Sequence, residues 1–147
     1  MREILFRGKA YEGEWVQGTY YHQKEFYGDE TDFHYIIESC DQLEDNMMNF
    51  SGVIPETIGQ YTGLTDKNGT KIFEGDIVEG HCHSQWSHRL QRCVVEYDRD
   101  SFKSRHYLNY PDKKHYFEYK VLFSKDVVVI GNIYDNPELL ESEVDNE

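Results

Sequence analysis

The sequence predicts a mainly β fold, and three observations carry the prediction. Val, Ile, Tyr, Phe, Thr and Trp make up about a third of the 147 residues, whereas Ala10 is the only alanine. Such β-branched and aromatic side chains lose rotamer freedom against a helical turn and pack well on a pleated surface. Apolar residues recur with period two in short runs, and Gly, Asn and Asp punctuate the runs. A chain of this length buries about two-thirds of its unfolded surface, enough for one core. A single domain over 1–147 is therefore expected, with an N-terminal β extension and loop (1–52), a barrel-like core (53–141) and an acidic tail (142–147).

Taken in order, Ile4 and Phe6 open an alternation that resumes in Glu14-Trp15-Val16-Gln17-Gly18-Thr19-Tyr20-Tyr21-His22 after the turn signal Tyr11-Glu12-Gly13. This predicts an N-terminal hairpin. Phe33-His34-Tyr35-Ile36-Ile37-Glu38 predicts a third strand beyond a polar loop at 24–32, and residues 40–51 read as a loop with one helical turn at 41–46. Pro55 cannot donate to a ladder, so only short or edge strand pieces are expected within 53–62. Asp66-Lys67-Asn68-Gly69 is the strongest turn signal, because Asn-Gly accepts the positive φ of a tight reversal. Glu74-Gly75-Asp76 is a second corner, and Ile77-Val78-Glu79 leaves it as a strand.

Arg92-Cys93-Val94-Val95-Glu96-Tyr97, then 116–123 and 127–134, predict further strands, with Ser124-Lys125-Asp126 closing a hairpin between the last two. Asn136 and Pro137 suit the cap and first position of a short C-terminal helix. By analogy, Glu74-Gly75-Asp76-Ile77-Val78 looks like the start of a strand in SH3-like barrels. The central and C-terminal strands are thus expected to form a small, partly open SH3-like barrel. Ile72, Ile77, Val94, Val121, Phe123, Val128, Ile130 and Ile133 are placed in or near its interior.

The charge excludes some partners. Fifteen Lys and Arg face 28 Asp and Glu, a net −13, and the body stays acidic when the carboxylate-rich last ten residues are set aside. Direct nucleic-acid binding and adhesion to anionic membranes both need clustered bases and are not expected. Cys40, Cys82 and Cys93 are an odd number, which suits a reducing compartment, and the cytoplasm is the natural reading. The longest apolar stretch is Val127 to Ile130, and Met1-Arg2-Glu3-Ile4-Leu5-Phe6-Arg7 carries charges throughout, so neither a membrane span nor a signal peptide is expected.

Candidate chemistry is sparse. His81, Cys82, His83, His88 and Cys93 have metal-ligand side chains, and two His at strand spacing share a face, but the spacing matches no familiar zinc pattern. Asp66, Asn68 and Thr70 place oxygens at every second residue as in a calcium loop, yet a hairpin turn accounts for them. Glu96, Asp98 and Asp100, beside Arg99, offer carboxylates that more often form solvated loops than acid–base pairs. Cys40 lies in no context that lowers a thiol pKa, and neither a nucleophile elbow nor a phosphate-cradling loop is present. No catalytic, cofactor-binding or metal residue is assigned. Tyr20, Tyr21, Tyr27, Tyr107, Tyr110, Tyr116 and Tyr119 suit either a binding surface or a core short of leucine.

Two stretches are more particular. Val53-Ile54-Pro55-Glu56-Thr57-Ile58-Gly59-Gln60-Tyr61-Thr62-Gly63-Leu64-Thr65-Asp66-Lys67-Asn68-Gly69-Thr70-Lys71-Ile72-Phe73-Glu74-Gly75-Asp76-Ile77-Val78 resembles the central signature of YopX-like proteins, which phages and prophages of low-GC Gram-positive bacteria encode. Val129-Ile130-Gly131-Asn132-Ile133-Tyr134-Asp135-Asn136-Pro137-Glu138-Leu139-Leu140 resembles that family's C-terminal signature, and Met1-Arg2-Glu3-Ile4-Leu5-Phe6-Arg7-Gly8 its opening. The resemblance implies a mostly β, phage-derived protein with no assigned reaction. Residues 24–51 and 81–90 are least family-like.

The expected function is that of a non-enzymatic phage or prophage accessory protein acting through protein contacts as a homo-oligomer. A host or phage protein is the alternative partner. Two other readings are an acidic mimic of DNA that occupies a host nucleic-acid-binding protein, and a small metal-dependent hydrolase using the region from His81 to Cys93. The glycine-rich signatures themselves are expected to build shape, so that Asp66, Asp76 and Asn132 do not converge on a ligand.

Overall fold

A computed structural model describes residues 2–24, 32–38, 48–81, 89–107, 112–123 and 125–141. The fold is mainly β, with two antiparallel sheets and no α-helix among the described residues. Packing divides the chain into two compact units, Met1–Tyr61 and Thr62–Glu147.

In the first unit, β1 (Phe6–Lys9), β2 (Trp15–Lys24), β3 (Asp32–Glu38), β4 (Asn49–Gly52) and the start of β5 (Gly59–Thr65) lie in the order β4-β3-β2-β1-β5. The N-terminal hairpin is present: Ala10 N–H bonds Glu14 O at 2.7 Å and Gly13 turns with φ +100°. β2 has two partners in succession, β1 along Trp15–Gly18 and β3 along Thr19–Lys24. At the handover a Cβ on Gly18 would stand 2.0 Å from the Ile37 carbonyl oxygen, so the strands can approach only because glycine is there. Val16, Ile36 and Val53 form the core, flanked by Phe6, Tyr20 and Ile58. Pro55 opens a 3₁₀ turn, Pro55–Thr57, rather than a strand. The turn is anchored because buried Thr57 Oγ1 donates to Ile54 O at 2.6 Å and accepts from Lys9 N–H at 2.9 Å.

In the second unit the rest of β5 pairs with β6 (Lys71–Phe73). Five further strands, β7 (Asp76–His81), β8 (Leu90–Asp98), β9 (Ser101–Tyr107), β10 (Tyr116–Tyr119) and β11 (Val128–Asn132), take the order β10-β9-β8-β7-β11. The order is open, and no closed barrel forms among the described residues. Alternation along β7 and β8 feeds two clusters: Val78, Cys93 and Val95 join Ile72, Val121, Leu122 and Val127, whereas Ile77 and Val94 join Tyr107 and Leu140.

Several expectations need correction. The hairpin placed at Ser124-Lys125-Asp126 does not exist, because β10 pairs with β9 and β11 pairs with β7. Between them Lys120–Phe123 forms a 3₁₀ turn that buries Val121 and Leu122. The C-terminal helix is a single 3₁₀ turn, Pro137–Leu140, without a side-chain cap. Asn136 Oδ1 instead accepts from Asn132 N–H at 3.3 Å and occupies the space a Cβ on Gly131 would need. Of the expected interior residues, Ile72, Ile77, Val94 and Val121 are buried, whereas Val128, Ile130 and Ile133 are half-buried. The Phe123 side chain and the helical turn expected at 41–46 lie outside the described residues.

Asp66 ties this unit together. Its Oδ1 accepts from Asn68 and Thr70 N–H, each at 2.9 Å, and its Oδ2 accepts from Val129 N–H at 3.1 Å. One buried carboxylate thus closes the β5–β6 turn and pins it to β11, helped by Lys67 N–H on Val127 O at 3.1 Å. Burial alone raises its pKa, but the N–H donors of Val129, Thr70 and Asn68 outweigh it and hold the carboxyl below the usual range. The sign follows: a depressed folded-state pKa contributes stability above the unfolded value, and that contribution is lost as pH falls through the folded one. Asp66→Asn is therefore expected to lower unfolding free energy at pH 7 by about 2 kcal/mol. Urea melts at successively lower pH should show the difference from wild type shrinking, and a difference that grows on acidification would contradict the assignment.

Candidate contact surface

The register of β2, β3 and β4 sorts their side chains onto two faces. Thr19 stands opposite Ile37, Tyr21 opposite Tyr35 and Gln23 opposite Phe33, and Ile37 in turn faces Phe50. Directly opposed residues project to the same side of a sheet, so these seven form one continuous face. The alternate residues, Tyr20, His22, His34 and Ile36, take the other side, where Ile36 is fully buried in the core.

The first face is aromatic, exposed and uncharged. Tyr21, Phe33 and Phe50 are 49%, 36% and 59% exposed, with Tyr35 and Ile37 half-buried between them and Phe33 stacked on Tyr35 at 6.1 Å. β4, which carries Phe50, is the last strand in its sheet's order. An exposed apolar patch of this kind marks an interaction surface more often than chance, and an uncharged one on a chain of net −13 is where repulsion is weakest.

The residues singled out for chemistry fall elsewhere. His81 is exposed and bonds to Asp126, whereas Cys93 is buried opposite Val78 on the other face of the β7–β8 pair. Those two cannot converge on one ion, and Cys82, His83 and His88, like Cys40, lie outside the described residues. Asp66, Asn68 and Thr70 form the turn described above. Asp76 Oδ2 accepts from Phe73 N–H at 2.7 Å, and Asn132 Oδ1 from Tyr134 and Asp135 N–H at 3.0 and 2.9 Å, so each closes its own corner.

The carboxylates of β8 are engaged in pairs. Glu96 accepts from the Tyr107 hydroxyl and from Lys113 Nζ at 3.2 Å, and Asp98 pairs with Arg105. Asp100 follows Arg99, whose φ of 59° makes the β8–β9 turn. Burial first, and then the Glu96 hydrogen bond, push the Tyr107 phenol far above its ordinary value. A half-open cleft of about 180 Å³ beside Gly75 is lined by Glu96, Lys113 and Tyr134. Glu74 lines it as well, and Lys113 there already pairs with Glu96. Glu79 likewise pairs with Arg92 at 2.9 Å, Glu118 with Lys103 at 3.6 Å and Asp112 with Lys114 at 3.8 Å.

A sequence profile of the YopX protein family matches residues 5–141. The chain belongs to the YopX family. Among solved structures, the crystal structure of protein EF1440 from Enterococcus faecalis is similar, with 23% identity over 95% of this chain and 99% of that one and a TM-score of 0.52. That likeness establishes the fold alone. No curated protein matches the chain. No helix among the described residues is long and apolar enough to cross a membrane.

In this YopX-family chain the tyrosines divide between interior and surface: Tyr107 is buried, Tyr21 and Tyr116 are exposed, and Tyr20 is half-buried against the core. Tyr27 and Tyr110, and the side chain of Tyr119, lie outside the described residues. Sequence reasoning missed β4, so Phe50 was not seen as part of a face. It also missed a group of metal-ligand donors, since among the described residues His22, Asp32 and His34 bring one ligand atom each within 4.8 Å of the others. The signal was present: His22 and His34 are equidistant from Gly28 in the loop between two alternating runs. The face itself depends on Gly18. Gly18→Ala is expected to destabilise the first unit by about 3 kcal/mol, because the obstructing atom is backbone. Gly52→Ala, whose Cβ would meet only the Tyr11 ring at 3.8 Å, should be tolerated. Thermal melts of the two variants check this, and equal stability would contradict it.

Proposed function

We propose that this YopX-family protein is a non-enzymatic accessory protein of phage or prophage that acts through protein contacts and self-associates through the aromatic face of β2, β3 and β4. The observation that carries this reading is the uncharged face holding Tyr21, Phe33, Tyr35, Ile37 and Phe50 on a chain of net −13. A second copy suits it better than a basic partner, which would seek carboxylates, and in the second unit Glu79, Glu96, Asp98, Asp112 and Glu118 already engage bases. Rigid aromatic side chains also supply contact area at small entropic cost.

The cytoplasm is the compartment this reading assumes, and the odd number of cysteines accords with it. For the second unit, we read the order β10-β9-β8-β7-β11 as a partly open, SH3-like curl; the register shift between Val129 and Gly131 supports it, because bulges bend strands.

Sedimentation velocity over a concentration series tests the assembly. The wild type should sediment as a dimer or larger, and Tyr21→Glu with Phe50→Glu should weaken association by at least about 100-fold, the effect of losing two anchors at an interface centre. Both side chains are exposed, so circular dichroism should be unchanged. A strictly monomeric wild type, or an oligomer indifferent to both substitutions, would overturn the proposal.

A further inference from the structure

We propose that His22, His34 and Asp32 form a binding site for a divalent transition-metal ion, with zinc the ion that fits the donors best. The site lies on the face of the β2–β3 pair opposite the aromatic one, beyond the point where Tyr20 and Ile36 leave the core. It is independent of self-association.

The backbone brings the ligands together. His22 and His34 are directly opposed across the antiparallel ladder, and Asp32 is two residues from His34 on the same side. Their rings lie 4.5 Å apart and within 7° of parallel, and one ligand atom from each lies within 4.8 Å of the other and of one from Asp32. His22 Nε2 is 3.4 Å from Asp32 Oδ1. Donors on a tetrahedral zinc with bonds of about 2.0–2.1 Å stand roughly 3.3 Å apart, so this edge is already at length, and turning the two rings out of their stack aims the third donor at the same ion.

The donor set has the right chemistry and support. Two neutral imidazoles and one carboxylate suit zinc and leave a position for water. Ligating histidines usually engage their other ring nitrogen with a polar partner that fixes the tautomer. Tyr20 fills this role: its hydroxyl lies 2.7 Å from His34 Nδ1, which assigns Nε2 to the metal, and its ring stacks on His34 at 5.9 Å. Lys24 stands opposite Asp32 on this face, but it is exposed, and its flexible stem lets the ammonium swing clear.

Calorimetric titration of zinc chloride into the full chain tests the site, with cobalt(II) absorption reporting the geometry. One equivalent of zinc should bind with a dissociation constant on the order of micromolar or tighter. His22→Ala and His34→Ala should each weaken it by about 100-fold and abolish the tetrahedral cobalt bands, while Asp32→Asn should weaken it by about 10-fold. His81→Ala removes an imidazole engaged with Asp126 in the other unit and should change nothing. Unchanged circular dichroism would show that the hairpin variants fold. Absence of saturable binding to the wild type, or binding indifferent to His22→Ala with His34→Ala, would overturn the assignment.

Discussion

The constraint on which the functional surfaces depend is the register of β2 against β3. Strand side chains alternate with a period of two, so slipping the pairing by one residue would exchange the aromatic and imidazole faces. Burial fixes the choice. Ile36 is fully enclosed, Val16 and Val53 close around it, and Tyr20 packs at a tilt on Phe6 with ring centres 5.7 Å apart. With even-numbered residues drawn into that core, Tyr21, Tyr35 and Ile37 have only the opposite face to occupy. The same alternation explains why His22 and His34 meet: they extend the core-facing rows past the point where the core ends.

In the second unit the organising element is a carboxylate rather than a hydrophobic contact. Asp66 accepts from its own turn and from β11, 63 positions away in sequence. Asp76 at the Gly75 corner and the amides of Asn132 and Asn136 beside Gly131 act similarly, each satisfying nearby backbone N–H groups that a tight turn leaves without ladder partners. These acidic signatures are thus architecture. Strand alternation also separates His81 from Cys93, since one row of β7 and β8 packs in the cluster of Val78 and Val95 and the other does not.

What was legible in the sequence was local. The Asp66 to Gly69 turn, the Gly75 corner with φ +89° and the first hairpin all carry their conformational cause in one or two residues. Pairing between distant segments was not legible. Ser124-Lys125-Asp126 has the right chemistry for a hairpin, but β11 finds a better partner in β7, where Val129 stands opposite Val78. β9 escaped notice because Ser101–Tyr107 is polar, its β character coming from pairing with β8 and β10. Phe50 and the His22, Asp32 and His34 group escaped for the same reason: each becomes meaningful only when its cross-strand neighbour is known.

The central claim is that β2 and β3 pair with Tyr21 opposite Tyr35 and His22 opposite His34. Nuclear Overhauser contacts between backbone protons of the isotopically labelled chain read this register directly. The account predicts cross-strand contacts linking Tyr21 with Tyr35 and Thr19 with Ile37. Contacts displaced by one residue, linking Tyr21 with His34 or with Ile36 as the opposed pair, would contradict it and remove both surfaces at once.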